Sequence, residues 1–255
     1  MSANTLPFLG TEHWDGKLFL SGWNAAEATL DVVEPGSGAR LTRVGMATPE
    51  DVGEAAKRAK VAQAGWAALP FEERAGIFRK AAAIVLREAE LISSWIVRET
   101  GGIPPKAGVE LHMAQGILLE AAALLTQPCG LLLPSDGGRI SMARRVPHGV
   151  VGVISPFNFP LILSIRAVAP ALALGNTVVL KPDPKTPIGG GYLIARIFEE
   201  AGLPMDCLQV LPGGADIGEA LVTDPSIAMI SFTGSTGAGR RVGELAGRHL
   251  KKVTL

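Results

Sequence analysis

Residues 151–160 read Val151-Gly152-Val153-Ile154-Ser155-Pro156-Phe157-Asn158-Phe159-Pro160, a stretch with two distinct halves. Its first half is a short run of apolar, mostly β-branched residues, which is the pattern of a buried strand. Its second half is a proline-bounded turn that carries one amide side chain between two phenylalanines. Polar groups at the carboxyl end of a buried strand lie where α/β sheets bind ligands. The turn is therefore the first candidate site.

From residue 150 onward, strand and helix patterns alternate along the chain. Such alternation predicts parallel strands with right-handed crossovers, covered by helices on both faces. We therefore expect an α/β, Rossmann-like parallel sheet that binds ligands at the carboxyl ends of its strands. The predicted strands are 150–154, 177–181, 208–211, 228–232 and 252–255, and the predicted helices are 160–174, 187–201, 215–223 and 236–249.

The first half of the chain has a different pattern, that of a helical region. Residues 1–47 are irregular, with short strands around 17–20 and 28–33, and Thr48 caps a helix that runs to about residue 66. Further helices are predicted at 72–99, with a break near Glu88, and at 106–127. Their apolar spacing places four large side chains in the core: Trp66, Phe78, Trp95 and Met113. Residues 130–148 are predicted to form an extended β-hairpin excursion.

Composition excludes several classes of protein. The chain has 255 residues, and its 24 basic residues balance its 24 acidic ones, which disfavours binding to nucleic acid or to an acidic membrane surface. The longest apolar stretch, 159–180, is interrupted by polar and turn residues, and the N-terminus lacks a signal core. Cys129 and Cys207 lie far apart, which offers no metal framework and fits a reducing compartment. We expect a soluble, cytoplasmic protein that binds no metal.

The other predicted strands also end in groups that can bind a ligand. Thr233-Gly234-Ser235-Thr236-Gly237-Ala238-Gly239 joins a strand to a helix, and its glycines let main-chain N–H groups approach a phosphate. It lacks the lysine of a Walker A loop and the spacing of a Gly-x-Gly-x-x-Gly motif, and such a turn is as often merely structural.

Lys181 and Asn158 each allow two interpretations. Lys181 follows the apolar run 178–180 and could bind ribose hydroxyls or a phosphate, or it could be a solvated lysine that leaves the sheet. Asn158 could donate its amide N–H to a developing oxyanion, or it could bond only to the backbone of its own turn.

Taken together, three motifs resemble the aldehyde dehydrogenase superfamily. They are Pro-Phe-Asn-Phe-Pro at 156–160, Lys-Pro-x-x-x-Thr-Pro at 181–187 and Phe-Thr-Gly-Ser-x-x-x-Gly at 232–239. The resemblance covers essentially the whole chain. The first two motifs are most similar to those of aromatic-aldehyde members such as benzaldehyde dehydrogenases.

The resemblance implies a role for each motif. In the family, a cysteine thiolate attacks an aldehyde, an amide helps to hold the oxyanion, hydride passes to NAD or NADP, and a glutamate activates the water that releases the acid. Asn158 matches the oxyanion donor, Lys181 the lysine that holds the adenosine ribose, and Ser235 the pyrophosphate contact. The full expected cofactor-binding set is Ile154, Ser155, Pro156, Phe157, Lys181, Pro184, Lys185, Gly214, Phe232, Gly234 and Ser235.

The chain departs from the family pattern at two places. Pro184 replaces a glutamate that is common in NAD-preferring relatives, and the neighbouring Lys185 could attract a 2′-phosphate, so the choice between NAD and NADP stays open. Residues 253–255 match the strand that precedes the general base, and the nucleophilic cysteine lies further on in the family. We therefore expect the front portion of a longer protein, without the catalytic domain. Cys129 and Cys207 are expected to be structural.

Two hypotheses follow for function. The first is that residues 1–127 and 149–255 form the dinucleotide-binding domain of an aldehyde-oxidising enzyme that is inactive without its catalytic domain, and that residues 128–148 mediate assembly into a homo-dimer or tetramer. The alternative is a non-catalytic module for dinucleotide binding or subunit interaction. The reading frame after residue 255 would discriminate between them.

Overall fold

A computed structural model describes residues 8–255, which form eleven strands and eight α-helices. Short 3₁₀ and π-helical turns lie at Thr11–His13 and Ile188–Tyr192. The strands are β1 (Lys17–Phe19), β2 (Trp23–Ala25), β3 (Ala28–Val33), β4 (Arg40–Met46), β5 (Gly130–Leu133), β6 (Ser141–Arg144), β7 (Val150–Ile154), β8 (Thr177–Lys181), β9 (Leu208–Val210), β10 (Ile227–Phe232) and β11 (Lys252–Thr254). The helices are α1 (Pro49–Ala68), α2 (Phe71–Arg87), α3 (Ala89–Thr100), α4 (Pro104–Leu124), α5 (Pro160–Ala173), α6 (Leu193–Ala201), α7 (Ala215–Thr223) and α8 (Thr236–Arg248).

The central sheet has seven strands in the order β11-β10-β7-β8-β9-β1-β2. The five strands from β11 to β9 pair in parallel, and β1 and β2 extend the sheet in antiparallel pairing. The chain order changes direction at β7, since β8 lies on one side of it and β10 on the other. Ligands of open α/β sheets bind at such a switch point. The predicted Rossmann-like α/β fold is confirmed.

Two apolar cores cover the two faces of this sheet, as predicted. Alternate residues of a strand point to opposite faces, so Val178 and Leu180 of β8 pack with α2, α4, α5 and α6, whereas Val179 packs with α1, α7 and α8. Thr48 begins α1 with a reciprocal capping box: its hydroxyl accepts the Asp51 N–H at 3.2 Å, and the Asp51 carboxylate accepts the Thr48 N–H at 2.8 Å.

The N-terminal region has more strands than predicted. Residues 40–46 form β4, which pairs with β3 as a separate hairpin, and Phe19 of β1 pairs with Val210 of β9. This last pairing joins residues far apart in sequence, which a local pattern cannot reveal.

The core prediction was wrong for Met113, which is 47% exposed, whereas Trp66 and Phe78 are buried as predicted.

The predicted β excursion is present as a hairpin of β5 and β6. The two strands pair with each other, and within residues 8–255 no further strand joins them. Its side chains are strongly exposed although many are apolar: Leu131, Leu132, Leu133, Ile140, Met142 and Val146. Among residues 8–255, every helix is either too short or too polar to span a lipid bilayer.

Candidate functional site

Three parallel strands end side by side at the ligand edge of the sheet. The register pairs Ile154 of β7 with Lys181 of β8 and with Phe232 of β10. The turns that follow these strands therefore emerge next to one another, although more than 75 residues separate the first from the last. The motifs that the sequence singled out converge at this edge.

A cleft of about 490 Å³ opens at this edge between α7 and α8. Ten of the eleven predicted cofactor-binding residues line it, and Lys185 does not. Apolar side chains of α7, α8 and β10 form part of its wall, namely Val222, Val242, Leu245 and Phe232. The ten predicted residues in the lining are Ile154, Ser155, Pro156, Phe157, Lys181, Pro184, Gly214, Phe232, Gly234 and Ser235.

Lys181 is the buried cation of the cleft. The residue is 7% exposed, and its Nζ lies 3.5 Å from the carbonyl oxygen of Pro182, a long contact that leaves donor capacity unused. Burial lowers the pKa of Lys181, and the negative charges of Asp183 and Asp216 partly oppose this effect. The interpretation of Lys181 as a solvated lysine that leaves the sheet is wrong, because the side chain is enclosed within the cleft.

The glycine-rich turn places the start of α8 against the cleft. Ser235 is the N-cap of α8, and its Oγ accepts the N–H of Ala238 at 3.3 Å. The N–H groups of Thr236 and Gly237 have no acceptor within the helix, and the helix dipole favours an anion there. A Cβ at Gly234 would lie 2.6 Å from Cζ of Phe232, so a side chain at this position would have to displace the Phe232 ring.

The segment after Lys181 is fixed by local contacts. The Asp183 carboxylate accepts the N–H of Lys185 at 2.9 Å, which holds the turn in which Pro184 lines the cleft. The Lys185 ammonium is turned onto Phe157, with Nζ 4.5 Å from the centroid of the ring, in a cation–π contact. Lys185 therefore lies beside the cleft and not within its lining.

Asn158 lies outside the cleft in an exposed turn. Its side chain makes no hydrogen bond with any of residues 8–255, so the interpretation that it bonds only to its own turn is not supported. Below the turn, the hydroxyls of Ser155 and Ser164 are hydrogen-bonded at 2.7 Å, and Pro160 begins α5. The turn thus presents an amide that has no hydrogen-bond partner among residues 8–255, above a base held by these contacts.

Several charged residues around the cleft were missed by sequence reasoning. Arg241 of α8 pairs with Glu219 of α7 at 2.9 Å across the cleft wall, and Asp183 lines it. Glu99 and Glu110 are buried behind the turns that follow β7 and β8. The acidic residues are each on predicted helices or turns, but no spacing rule indicates that α7 and α8 meet or that two glutamates become buried.

Neither cysteine contributes to the cleft. Cys207 is buried at the amino end of β9, opposite to the ligand edge, and burial raises the pKa of its thiol to about 12. Cys129 is exposed, directly before β5. Among the described residues, no three His, Cys, Asp or Glu side chains are grouped so that they could hold a metal ion.

The chemistry of the cleft suits a dinucleotide. A buried ammonium can donate to ribose hydroxyls, the start of α8 can bind a phosphate, and apolar side chains can contact a flat ring. These groups lie in one cleft that is open to solvent, so the residues present fit NAD or NADP.

Comparison with known proteins agrees with this geometry. The family model "Aldehyde dehydrogenase family" matches residues 23–255. A vanillin dehydrogenase from Amycolatopsis sp. is 56% identical over 98% of this chain and 52% of the relative. A benzaldehyde dehydrogenase [NAD(+)] from Pseudomonas putida is 52% identical over 95% of this chain and 50% of the relative.

Solved structures are also similar to this chain. The crystal structure of a NAD-dependent benzaldehyde dehydrogenase from Corynebacterium glutamicum superposes with a TM-score of 0.91 at 41% identity, over 98% of this chain and 55% of that one. The chain spans about half the length of the curated relatives it matches. The family match and these similarities show that the chain belongs to the aldehyde dehydrogenase family.

Proposed function

We propose that this chain is the cofactor-binding part of an enzyme that oxidises an aromatic aldehyde to a carboxylic acid with NAD⁺ or NADP⁺. The observation that carries the proposal is the convergence of the buried Lys181 and the Ser235 turn in one cleft. Each group alone has a structural explanation, but together they offer a cation for a ribose and an N-terminal helix turn for a pyrophosphate. The family of the chain supplies the reaction class.

The bound nicotinamide would supply the hydride acceptor, and the side chains of this chain would bind the cofactor and help to hold the oxyanion. Lys181 would donate to the ribose hydroxyls, and its burial would strengthen those hydrogen bonds. The Ser235 hydroxyl keeps its own hydrogen free to donate, because in the cap it acts as acceptor. The free amide of Asn158 donates an N–H to the oxyanion that develops when the aldehyde is attacked.

The choice between the two cofactors depends on Pro184. No carboxylate stands at this position to repel a 2′-phosphate, and Lys185 supplies a positive charge at the rim. We propose that the cleft accepts both NAD⁺ and NADP⁺. Relatives with either name occur: the Pseudomonas putida protein is named for NAD(+), and a relative from Streptococcus equinus, 36% identical, is named NADP-dependent.

An aromatic aldehyde is the proposed substrate because the most similar relatives reported above are named for vanillin and benzaldehyde. We further propose that the described chain does not oxidise an aldehyde by itself. Cys207 is buried away from the cleft and Cys129 lies before the hairpin, so neither thiol can act as nucleophile at the Asn158 turn. A cytoplasmic location stays a prediction from the sequence.

The domain organisation is also a proposal. Residues 1–127 and 149–255 would form the dinucleotide-binding unit, and the excursion at 128–148 would join copies of the protein into a dimer or tetramer. Supporting this, the hairpin of β5 and β6 exposes six large apolar side chains, which is unusual for a surface that stays in water.

Isothermal titration of the purified chain with NAD⁺ and NADP⁺ tests the proposal. We expect saturable binding of both, and we expect Lys181→Met to weaken it by at least about tenfold, because hydrogen bonds to a charged donor are lost. Lys252→Met, on an exposed residue of β11, is the matched control and should leave the affinity unchanged. Absence of binding, or equal affinity of wild type and Lys181→Met, would contradict the proposal.

A further inference from the structure

Two glutamates with no assigned role are fully buried behind the ligand edge. Glu99, near the end of α3, is 1% exposed, and Glu110 of α4 is 0% exposed. A buried carboxylate is strongly unfavourable unless it has partners. Both are held by main-chain N–H groups, and those groups belong to the elements that follow the Asn158 turn and the Lys181 segment.

Glu110 binds the start of α5, directly after the Asn158 turn. Its Oε2 accepts the N–H of Leu161 at 3.0 Å and that of Ile162 at 3.3 Å. Its Oε1 pairs at 2.6 Å with Lys106, whose ammonium lies 4.6 Å from the centroid of the Phe159 ring. Negative charge at a helix N-terminus is favourable. The turn is thus held through the helix that follows it and through one of its two rings.

Glu99 binds the start of the π-helix, directly after residues 181–187. Its Oε1 accepts the N–H of Ile188 at 2.7 Å, and its Oε2 accepts that of Gly189 at 2.6 Å. Within the segment, the N–H of Thr186 donates to the carbonyl of Asp183 at 3.0 Å. The segment between Lys181 and the π-helix is short, so fixing its far end restricts where Lys181 and Pro184 can lie.

The starts of α5 and of the π-helix meet at Gly189. A Cβ on this residue would lie 2.9 Å from Oε2 of Glu99 and 3.1 Å from Cγ of Pro160. A Cβ on the neighbouring Gly190 would approach no atom closer than 3.4 Å. The negative charge of Glu110 adds to burial in raising the pKa of Glu99, which places the two carboxylates within electrostatic reach of each other.

We propose that Glu99 and Glu110 are positioning residues that together hold the Lys181 segment and the Asn158 turn at a fixed separation. Neither touches the cleft, and each acts through the helix start that it binds. The role of the pair in cofactor affinity rests on the proposed function, whereas its role in ordering the two turns does not.

Cofactor affinity gives the first test. Glu99→Met removes both acceptors at similar volume and should raise the Kd for NAD⁺ by at least about tenfold. Glu99→Gln keeps the length and one of the two acceptor oxygens, so its Kd should lie between those of wild type and Glu99→Met. Gly189→Ala should weaken binding, and Gly190→Ala is its matched control. The proposal would be overturned if folded Glu99→Met bound NAD⁺ with wild-type affinity. It would also be overturned if Gly189→Ala and Gly190→Ala changed the affinity equally.

Amide hydrogen exchange without ligand gives the second test. Exchange in residues 183–190 should be faster in Glu99→Met and Gly189→Ala than in wild type, with the sheet strands unchanged. Glu110→Met should do the same at 157–162, and Glu110→Gln should restore slow exchange. Unchanged exchange in these segments overturns the positioning role.

Cofactor affinity and hydrogen exchange together distinguish the positioning role from the proposed function. If the wild-type chain binds no nucleotide but exchange changes as expected, the proposed function fails and the positioning role stands. If Glu99→Met does not fold, the comparison of Gly189→Ala with Gly190→Ala decides the question.

Discussion

The buried carboxyl of Glu99 should make the stability of the protein fall as pH rises, and Glu99→Gln should remove that dependence. Glu99 is 1% exposed, and burial, with a contribution from Glu110, raises the pKa of its carboxyl from 4.5 to about 8. The two N–H groups of Ile188 and Gly189 oppose this shift but do not cancel it. The native protein therefore releases the Glu99 proton at a higher pH than the unfolded chain does.

The sign and size of this pH dependence of the unfolding free energy follow from proton linkage. The folded pKa lies above the unfolded one, so the stabilisation is complete below pH 4.5 and is lost as pH rises to about 8. In that window the free energy of unfolding falls by up to about 1.4 kcal/mol per pH unit. The whole shift corresponds to about 5 kcal/mol, which is comparable to the total stability of many domains.

Urea unfolding followed by circular dichroism, between about pH 5 and pH 9, measures this effect. The glutamine cannot ionise, so the stability of Glu99→Gln minus that of wild type should increase by several kcal/mol across the range. Ionisable groups elsewhere in the chain are the same in both proteins, so their contributions cancel in the difference. Glu120→Gln, on an exposed position of α4, should show no such trend. If the unfolding free energies of Glu99→Gln and wild type changed in parallel with pH, the reasoning would be refuted.

Three further predictions concern the cofactor, the hairpin and the glycine turn. Pro184→Glu should weaken binding of NADP⁺ by about tenfold more than binding of NAD⁺, measured by titration calorimetry, because a carboxylate repels the 2′-phosphate. Leu132→Lys, in the hairpin, should lower the mass found by light scattering after size exclusion, because it puts a charge on the proposed contact. Gly234→Ala should lower the free energy of unfolding by about 1–3 kcal/mol, because its Cβ would clash with Phe232, whereas Gly237→Ala, with open space around its Cβ, should not.

A specific result would contradict each of these three predictions. Equal losses for both nucleotides would refute the account of Pro184. An unchanged mass for Leu132→Lys would remove the hairpin from the proposed interface. Equal stabilities of the two alanine variants would show that the turn tolerates a side chain at position 234.

The sheet and its ligand edge could be predicted because their signals are local. The β-branched runs that became β7 and β8 each end in a turn marked by proline, and β10 ends in a glycine-rich turn. Parallel pairing then brings Ile154, Lys181 and Phe232 to one edge by topology alone. The capping box at Thr48 is equally local, and it begins α1 as predicted.

The other features of the fold and the site could not be predicted. They depend on which helices and turns pack together, and the spacing of residues along the chain does not determine this. Glu99 and Glu110 have the same helical setting as exposed glutamates, and only the packing of α3 and α4 behind two turns makes them buried. Met113 has core spacing on its helix, but no element within residues 8–255 covers it. The helix predicted at 187–201 begins as a π-helix, and its Gly189 lies against Glu99 and Pro160.

The most direct test of the central claim is a crystal structure of this chain with NAD⁺. We expect the dinucleotide in the cleft between α7 and α8, with a ribose hydroxyl within hydrogen-bond distance of Lys181 Nζ and the pyrophosphate at the start of α8 beside Ser235. A dinucleotide bound elsewhere on the chain, with Lys181 making no contact to it, would contradict the account.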